Sequence, residues 1–184
     1  MHHFVRDSMI ILIITLFSSS ATAMSRLYDA EAVVTIRNGN PCFSYPQDEE
    51  IVKRPYSFGH LSVSKNRGGV MWDVGIAISD RKELPEPNSS DSCIEYNHIY
   101  PGVEVLKTAE PLQIGTPYNV FIHVSARGNG KFYERKYLSN FCIVQNDNGK
   151  QVLVGASGGG KGEWHCLNPG ELQKRGFWEK MFAH

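Results

Sequence analysis

Four turn signals divide this chain at intervals typical of β-hairpins. They are Asn38-Gly39, Gly68-Gly69, Asn129-Gly130 and Asn148-Gly149, and each lies between residues that favour strands. Asn-Gly pairs suit the left-handed backbone dihedrals of tight hairpin turns. Since no alternation of strands with helices accompanies these turns, the sequence predicts an all-β, antiparallel fold.

Between the turns, apolar side chains alternate with others, which indicates strands that place one face in a core. The pattern is clearest at Glu31–Arg37 and Asn119–Val124. Further strands are predicted at Cys42–Tyr45, Ser57–Lys65, Val70–Ser79, Cys93–Asn97, Val103–Leu106, Lys131–Gln145 and Gln151–Ala156. About eight to ten short strands in one domain predict a two-sheet sandwich, with an immunoglobulin-like arrangement as one form of it.

Two segments interrupt the strand pattern. Asp80–Ser92 combines Pro, Ser and charged residues, so we expect an exposed loop there. Asn168, Pro169 and Glu171 are typical of the first turn of a helix, which predicts a short C-terminal helix within residues 168–182. Its apolar side chains suit docking onto the domain, and a partner-binding tail is the alternative.

The N-terminal residues have the pattern of a secretion signal. An apolar run, Met9–Phe17, follows Arg6 and precedes Ala21-Thr22-Ala23, which signal peptidase would cleave. A membrane anchor would need about 20 apolar residues, and no lipid-attachment cysteine follows the cleavage site. We therefore expect residues 1–23 to be removed, which leaves an exported single domain over residues 24–184 without a stable membrane anchor.

Four cysteines follow the expected cleavage site: Cys42, Cys93, Cys142 and Cys166. An even number of cysteines in an exported chain predicts two disulfides. The paired spacings of a zinc site, such as C-x-x-C, are absent from the sequence. Four cysteines allow three pairings, and their order along the chain favours Cys42 with Cys93 and Cys142 with Cys166.

Charge and one glycine-rich segment bear on the possible ligands. The chain has 19 basic and 19 acidic residues, and this balance argues against nucleic acid as a partner. Gly155 and Gly160-Lys161 approach the phosphate-binding P-loop pattern, but Gly162 stands where a hydroxyl side chain would hold magnesium. We expect a connection between strands here and no bound cofactor.

Gly155–Gly159 also matches the G-x-S-x-G motif of serine hydrolases, with Ser157 at its centre. That motif needs a strand, a strained turn and a helix, and the sequence predicts no helix after it. The histidines of residues 24–184 show no metal-ligand spacing. The sequence therefore predicts neither catalytic nor metal-binding residues, and a hydrolase that uses Ser157 or a histidine is an alternative.

Aromatic residues near predicted turns and strand ends are candidates for partner binding, because a stiff ring with a polar edge can anchor a protein partner. We predict such anchors at Tyr96, Tyr100 and Trp164, together with Arg81 in the expected loop. Burial in the core is the alternative for each ring.

Four short motifs give the chain a resemblance to a known family. They are C-F-S at Cys42, C-I-x-Y at Cys93, G-x-P-Y-x-V-x-I at Gly115 and Y-x-x-x-F-C at Tyr137. Over Pro41–Val144 the chain resembles small bacterial envelope proteins of the type VI secretion immunity family. Many members of that family carry a lipid-attachment cysteine, which this sequence lacks.

The resemblance implies a periplasmic protein that binds and occludes a toxin injected by a neighbouring cell, with the cognate toxin encoded by a neighbouring gene. It transfers no catalytic residues to this chain. A structural or adhesive β-domain of the envelope is the alternative function, and a periplasmic hydrolase is a third.

Overall fold

Three stretches of the chain have a described structure. The computed structural model describes residues 28–76, 86–158 and 163–168. The expected signal peptide (residues 1–23), Arg81 and the expected helix beyond Asn168 lie outside the described residues. Within the three stretches, no helix has the length and hydropathy needed to span a membrane.

The described residues form eleven strands and one short helix, α1 (Glu49–Lys53). The strands are β1 (Ala30–Glu31), β2 (Val33–Arg37), β3 (Asn40–Ser44), β4 (Ser57–Lys65), β5 (Val70–Ile76), β6 (Ile94–Glu95), β7 (Val103–Lys107), β8 (Tyr118–Gly128), β9 (Lys131–Gln145), β10 (Gln151–Gly158) and β11 (Trp164–Cys166). All the predicted strands are present, although most of them differ from the prediction at one end or at both.

These strands form two sheets. The larger sheet has the order β11-β10-β9-β8-β4-β5-β7, and β1 pairs in parallel with β9. The smaller sheet has the order β2-β3-β6. The other strand pairs of the described residues are antiparallel. The predicted all-β, antiparallel two-sheet sandwich is therefore confirmed.

Aromatic side chains join the two sheets in one core. The ring centroids of Phe43 in β3 and Phe141 in β9 lie 5.6 Å apart. Beside them, the indole ring of Trp72 in β5 lies 5.1 Å from the ring of Tyr96, which follows β6. Rings from the smaller sheet thus fill the space over the larger one, as expected for a sandwich.

Register across the larger sheet decides which side chains enter this core. Val74, Leu61, Ile122 and Tyr137 are paired across β5, β4, β8 and β9, and each is at most 1% exposed. The predicted alternation of buried and exposed side chains is confirmed in β8, where every second residue from Tyr118 to Ala126 is buried. In β2 it holds less well, because Ile36 near the end of the strand is 37% exposed.

The turns follow the sequence signals at two of the four sites. At Asn148-Gly149 only the glycine has a positive φ angle. Asn38 and Gly39, and likewise Asn129 and Gly130, have positive φ angles, as two-residue hairpin turns require. In the turn at Gly68-Gly69, however, the left-handed residue is Arg67, with φ of 61°.

Both predicted disulfides are present. Cys42 is bonded to Cys93 and Cys142 to Cys166. The first links β3 to the residue before β6, and the second links β9 to β11, so each bond lies within one sheet. An immunoglobulin domain instead has sheets of four and three strands with a disulfide between them, and the present arrangement differs from it.

Two features near residue 86 were not foreseen from the sequence. Helix α1 begins after Asp48, whose carboxylate accepts hydrogen bonds from the backbone N–H groups of Glu50 and Ile51 at 3.0 Å. Pro87, expected in an exposed loop, is buried. Its carbonyl accepts a hydrogen bond from the backbone N–H of Tyr45 at 2.8 Å, which fixes this part of the segment against the smaller sheet.

Candidate binding surface

The outer face of the larger sheet carries two histidines and two carboxylates on four adjacent strands. His60 of β4 is paired directly with His123 of β8. Asp73 of β5 and Glu134 of β9 lie diagonally beside them. Directly paired residues, and residues two positions apart in one strand, point to the same face of a sheet. The four side chains therefore lie together on one face, in a cluster that we call the His–carboxylate ladder.

Each histidine of the ladder contacts one carboxylate. Nε2 of His60 lies 2.6 Å from Oδ1 of Asp73, and Nε2 of His123 lies 3.5 Å from Oε1 of Glu134. The His60, Asp73 and His123 side chains are 33%, 23% and 24% exposed. The first contact is a short hydrogen bond, and the second, at 3.5 Å, is a looser polar contact.

Apolar side chains lie next to the ladder on the same face. Phe121 of β8 is paired with Leu138 of β9, and both are partly exposed. The ring centroids of His60 and Phe121 are 6.3 Å apart. The face therefore combines an aromatic centre with charged groups, a composition found at protein interfaces.

Two cavities of the described residues lie away from the ladder. One of about 550 Å³ lies beside helix α1 and is lined by Tyr45, Tyr56 and Glu86, among others. Another of about 370 Å³ lies between the first hairpin turn and the segment after β7. Neither of these two cavities is lined by a ladder residue.

A buried phenol and a half-buried carboxyl group meet beside the larger of these two cavities. The hydroxyl of Tyr45 donates a hydrogen bond to Oε2 of Glu86 at 3.2 Å. Burial raises the pKa of the Glu86 carboxyl, and the hydrogen bonds from Tyr45 and from the backbone of Phe58 oppose this shift. Burial also raises the pKa of Tyr45. Ionised Glu86 is thus disfavoured in the folded chain.

The described residues offer no group of three or more His, Cys, Asp or Glu side chains that could hold a metal ion. The ladder itself contributes imidazole and carboxylate groups, but both Nε2 atoms already contact carboxylates. The ladder is therefore a set of polar groups that contact one another on the surface of the sheet.

Ser157 stands in a regular strand. It lies in β10 and is paired directly with His165 of β11. At most five residues separate β10 from β11, which leaves too little chain for the helix of a nucleophile elbow. The geometry around Ser157 therefore differs from that of serine hydrolases with this motif.

The predicted partner anchors do not come together. Tyr96 is 6% exposed, and its hydroxyl donates to the backbone carbonyl of Glu110 at 2.7 Å. The prediction that Tyr96 anchors a partner is therefore wrong, because the core between the sheets already holds its ring. Tyr100 and Trp164 are partly exposed, and they lie near β6 of the smaller sheet and in β11 of the larger one. Arg81 lies outside the described residues.

Local contacts hold Tyr100 and Trp164 in place. The hydroxyl of Tyr100 accepts a hydrogen bond from the backbone N–H of Glu95 at 3.2 Å. Trp164 is paired with Gly158, and a Cβ added to that glycine would lie 3.0 Å from the indole ring. The indole ring thus packs against the backbone of Gly158, so only part of the ring is accessible to a partner.

Sequence reasoning missed the ladder because its members are far apart along the chain. The alternation of β4 and β8 places His60 and His123 on outer faces, and this signal was visible in the sequence. That the two histidines face each other depends on the register of β4 with β8, which no local pattern specifies.

Comparison with known proteins gives no precedent for this surface. The chain matches no family model, no curated protein and no solved structure.

Proposed function

We propose that this chain is a periplasmic immunity protein that binds and occludes a cognate toxin delivered by a type VI secretion system. The observation that supports the proposal is the outer face of the larger sheet, where Phe121 and Leu138 lie beside the His–carboxylate ladder. A face that combines an exposed aromatic ring with charged groups around it suits contact with another protein. We propose a toxin as that protein because the motifs between Pro41 and Val144 resemble those of the immunity family.

The two disulfides support both the compartment and the mode of action. Disulfides persist in oxidising compartments, and the periplasm is one of these. Cys42–Cys93 and Cys142–Cys166 also fix strands within each sheet. A surface that is rigid before binding loses little conformational entropy when it meets its partner, which favours tight occlusion.

The test pairs binding with protection. The protein is produced with its disulfides and mixed with the product of the adjacent gene, and sensitive cells that express it are exposed to that toxin. We expect Phe121→Ala to weaken binding by about 2 kcal/mol and to reduce survival. The matched control is Val52→Ala on helix α1, because Val52 is 72% exposed and lies outside the ladder face.

Two results would contradict the proposal. One is full survival of cells that carry a folded variant unable to bind the toxin. The other is an adjacent gene product that neither binds the chain nor harms cells without it.

A second function, a structural or adhesive envelope domain, is favoured by one edge of the larger sheet. Within the described residues, β7 pairs on one side only, and Leu106 of this strand is 55% exposed. An open edge can accept a strand from a neighbouring subunit. Self-association that Leu106→Lys abolishes, measured by light scattering, would favour this function over immunity.

A further inference from the structure

The hairpin of β8 and β9 extends beyond the strands beside it. Pairing of β8 with β4 ends at Ser125, whereas β8 and β9 remain paired with each other up to the turn at Asn129-Gly130. Among the described residues, 126–133 therefore form a two-stranded segment with no further strand beside it, which we call the ribbon. The ribbon continues the larger sheet past its neighbouring strands.

Contacts on one side hold the ribbon in place. Phe132 and Tyr133 point to opposite faces, because side chains alternate along a strand. The guanidinium carbon of Arg54 lies 4.2 Å from the ring centroid of Tyr133, and Arg54 forms an ion pair with Glu50 of α1. Ala126, which is paired with Tyr133, is 4% exposed. A segment that is fixed before binding loses little conformational entropy when it meets a partner.

The other side of the ribbon combines an exposed ring with cations. Phe132 is 57% exposed and is paired directly with Arg127, which is also exposed, so the two side chains point to the same face. Lys131 is exposed beside them. Within the described stretches, neither Arg127 nor Lys131 forms an ion pair, and Glu134 contacts His123 instead. The ribbon itself contains no acidic residue, so its charge is positive and available.

This composition favours a protein over a membrane as the partner. Electrostatic attachment to an anionic membrane takes clusters of about four to eight basic residues, and the ribbon has two. Arginine and aromatic residues, in contrast, are enriched at protein interfaces, where a few anchors carry most of the binding energy. Cations that have no carboxylate partner in their own chain are complementary to an acidic surface of another protein.

We infer that the ribbon docks in an acidic groove of a protein partner, with the Phe132 ring in an apolar pocket and with Arg127 and Lys131 paired with carboxylates of the groove. The inference rests on the proposed function in one respect, that the partner is a protein. Arg127 lies on the same face of β8 as Phe121, because an even number of residues separates them along the strand. Docking of the ribbon therefore extends the contact proposed for the outer face of the sheet.

The first experiment uses a hexa-glutamate peptide as the probe and the intact, oxidised protein labelled with ¹⁵N. At low ionic strength, we expect the peptide to shift the amide signals of the ribbon. Arg127→Ala combined with Lys131→Ala should weaken its binding by about fivefold. Lys150→Ala is the matched control, because Lys150 is an exposed lysine beside the turn between β9 and β10, and it should leave binding unchanged. A hexa-arginine peptide should not shift the signals of the ribbon.

The second experiment measures the affinity of the protein for the product of the adjacent gene. Phe132→Ala should weaken this binding by about thirtyfold, as expected when a buried aromatic anchor is removed. Ile99→Ala is the matched control, because Ile99 is 69% exposed and follows β6 of the smaller sheet, and it should leave the affinity unchanged. Dispersed amide spectra confirm that each variant is folded.

A third experiment tests the membrane as the alternative partner. Vesicles of phosphatidylglycerol and phosphatidylethanolamine are sedimented with the protein, and we expect the protein to remain in solution.

The inference is overturned if the acidic peptide leaves the signals of the ribbon unchanged, or if the vesicles bind the native protein but not the Phe132→Ala variant. It is also overturned if Phe132→Ala leaves the affinity for the adjacent gene product unchanged. That last result leaves the proposed function intact, since the toxin would then use another surface. Conversely, an adjacent gene product that is not a toxin would end the proposed function, while the peptide and vesicle experiments would still decide the role of the ribbon.

Discussion

Tyr45 and Tyr137 stack on each other across the space between the two sheets, with ring centroids 5.1 Å apart and planes at 17°. Their hydroxyl groups have different surroundings. That of Tyr45 donates to Glu86, whereas that of Tyr137 is buried with no hydrogen-bond partner among the described residues. Burial raises the pKa of Tyr137 to about 12, so both phenols stay neutral over the physiological range.

We predict that Tyr137→Phe stabilises the protein by about 1 kcal/mol, because it removes a buried polar group that forms no hydrogen bond and keeps the stacked ring. Urea unfolding under oxidising conditions measures the change. Tyr118→Phe is the control, since the Tyr118 hydroxyl accepts a hydrogen bond from the backbone N–H of Gln113 at 2.8 Å. The control should lose about 1 kcal/mol, and equal losses in both variants would contradict the prediction.

Glu86→Gln should stabilise the protein at neutral pH. Burial raises the pKa of Glu86 above its unfolded value, so its contribution to stability is fully present below the unfolded pKa and is lost as pH rises through the folded pKa. Glutamine has no charge to bury, and the advantage of the variant should therefore disappear in acid. Melting temperatures between about pH 3 and pH 7 measure this difference.

Glu110→Gln is the matched control for Glu86, with the opposite sign. The hydrogen bond from Lys107 lowers the pKa of Glu110, so Glu110 contributes stability above its unfolded pKa and loses it as pH falls through the folded pKa. The Gln variant should be less stable than the native chain at neutral pH and equal to it in acid. The same pH trend in both variants would show that neither pKa shift is linked to folding.

Loss of either disulfide should destabilise the fold, and the longer loop should matter slightly more. Cys42 and Cys93 are separated by 51 residues and Cys142 and Cys166 by 24. The chain-entropy relation predicts losses of about 4 and about 3.5 kcal/mol for the two double Cys→Ser variants. Urea unfolding measures both values, and a loss below about 1 kcal/mol in either variant would contradict the predicted role of its disulfide.

Two glycines in similar turns should respond oppositely to alanine. Gly130 has φ of +72°, a conformation that alanine adopts with strain, so Gly130→Ala should cost about 1 kcal/mol. Gly69 lacks a left-handed φ, and a Cβ there would meet no atom within 4 Å. Gly69→Ala should therefore stabilise the chain by about 0.5 kcal/mol. Destabilisation of similar size in both variants would show that the two turns are equivalent.

If the protein acts by occlusion, Ser157→Ala and His165→Ala should leave toxin protection nearly intact, because neither side chain performs chemistry. Trp164 lies in the same strand as His165. If the exposed edge of the indole ring meets the toxin, Trp164→Ala should weaken toxin binding by about 2 kcal/mol and reduce protection. The measurement combines toxin affinity with cell survival. Loss of survival with unchanged affinity in the Ser157 variant would indicate catalysis.

The strands could be predicted from the sequence because their signals are local. β9 has the bounds that its composition indicated, Lys131–Gln145, and β4 likewise spans Ser57–Lys65. Side-chain alternation and turn residues act over a few positions, so a window of the sequence contains them. The order of the cysteines along the chain also led to the observed pairing.

The candidate binding surface could not be predicted from the sequence, because it depends on contacts between segments that are distant along the chain. Tyr96 was expected at the surface, yet Trp72 of β5 packs against its ring. The two histidines of the ladder meet only through the register of β4 with β8. Helix α1 had a capping Asp48 in the sequence, but five residues are too few for a clear helical period.

The two disulfides also decide what one cut in the backbone would do to this protein. Any single cleavage between Cys42 and Cys93, or between Cys142 and Cys166, leaves both fragments joined by a covalent bond. The first interval includes the proline- and serine-rich residues 80–92, and the second includes the glycine-rich residues 158–162. A protease that nicks either segment therefore yields a chain of unchanged mass on a non-reducing gel, apart from the added water, and two pieces after reduction.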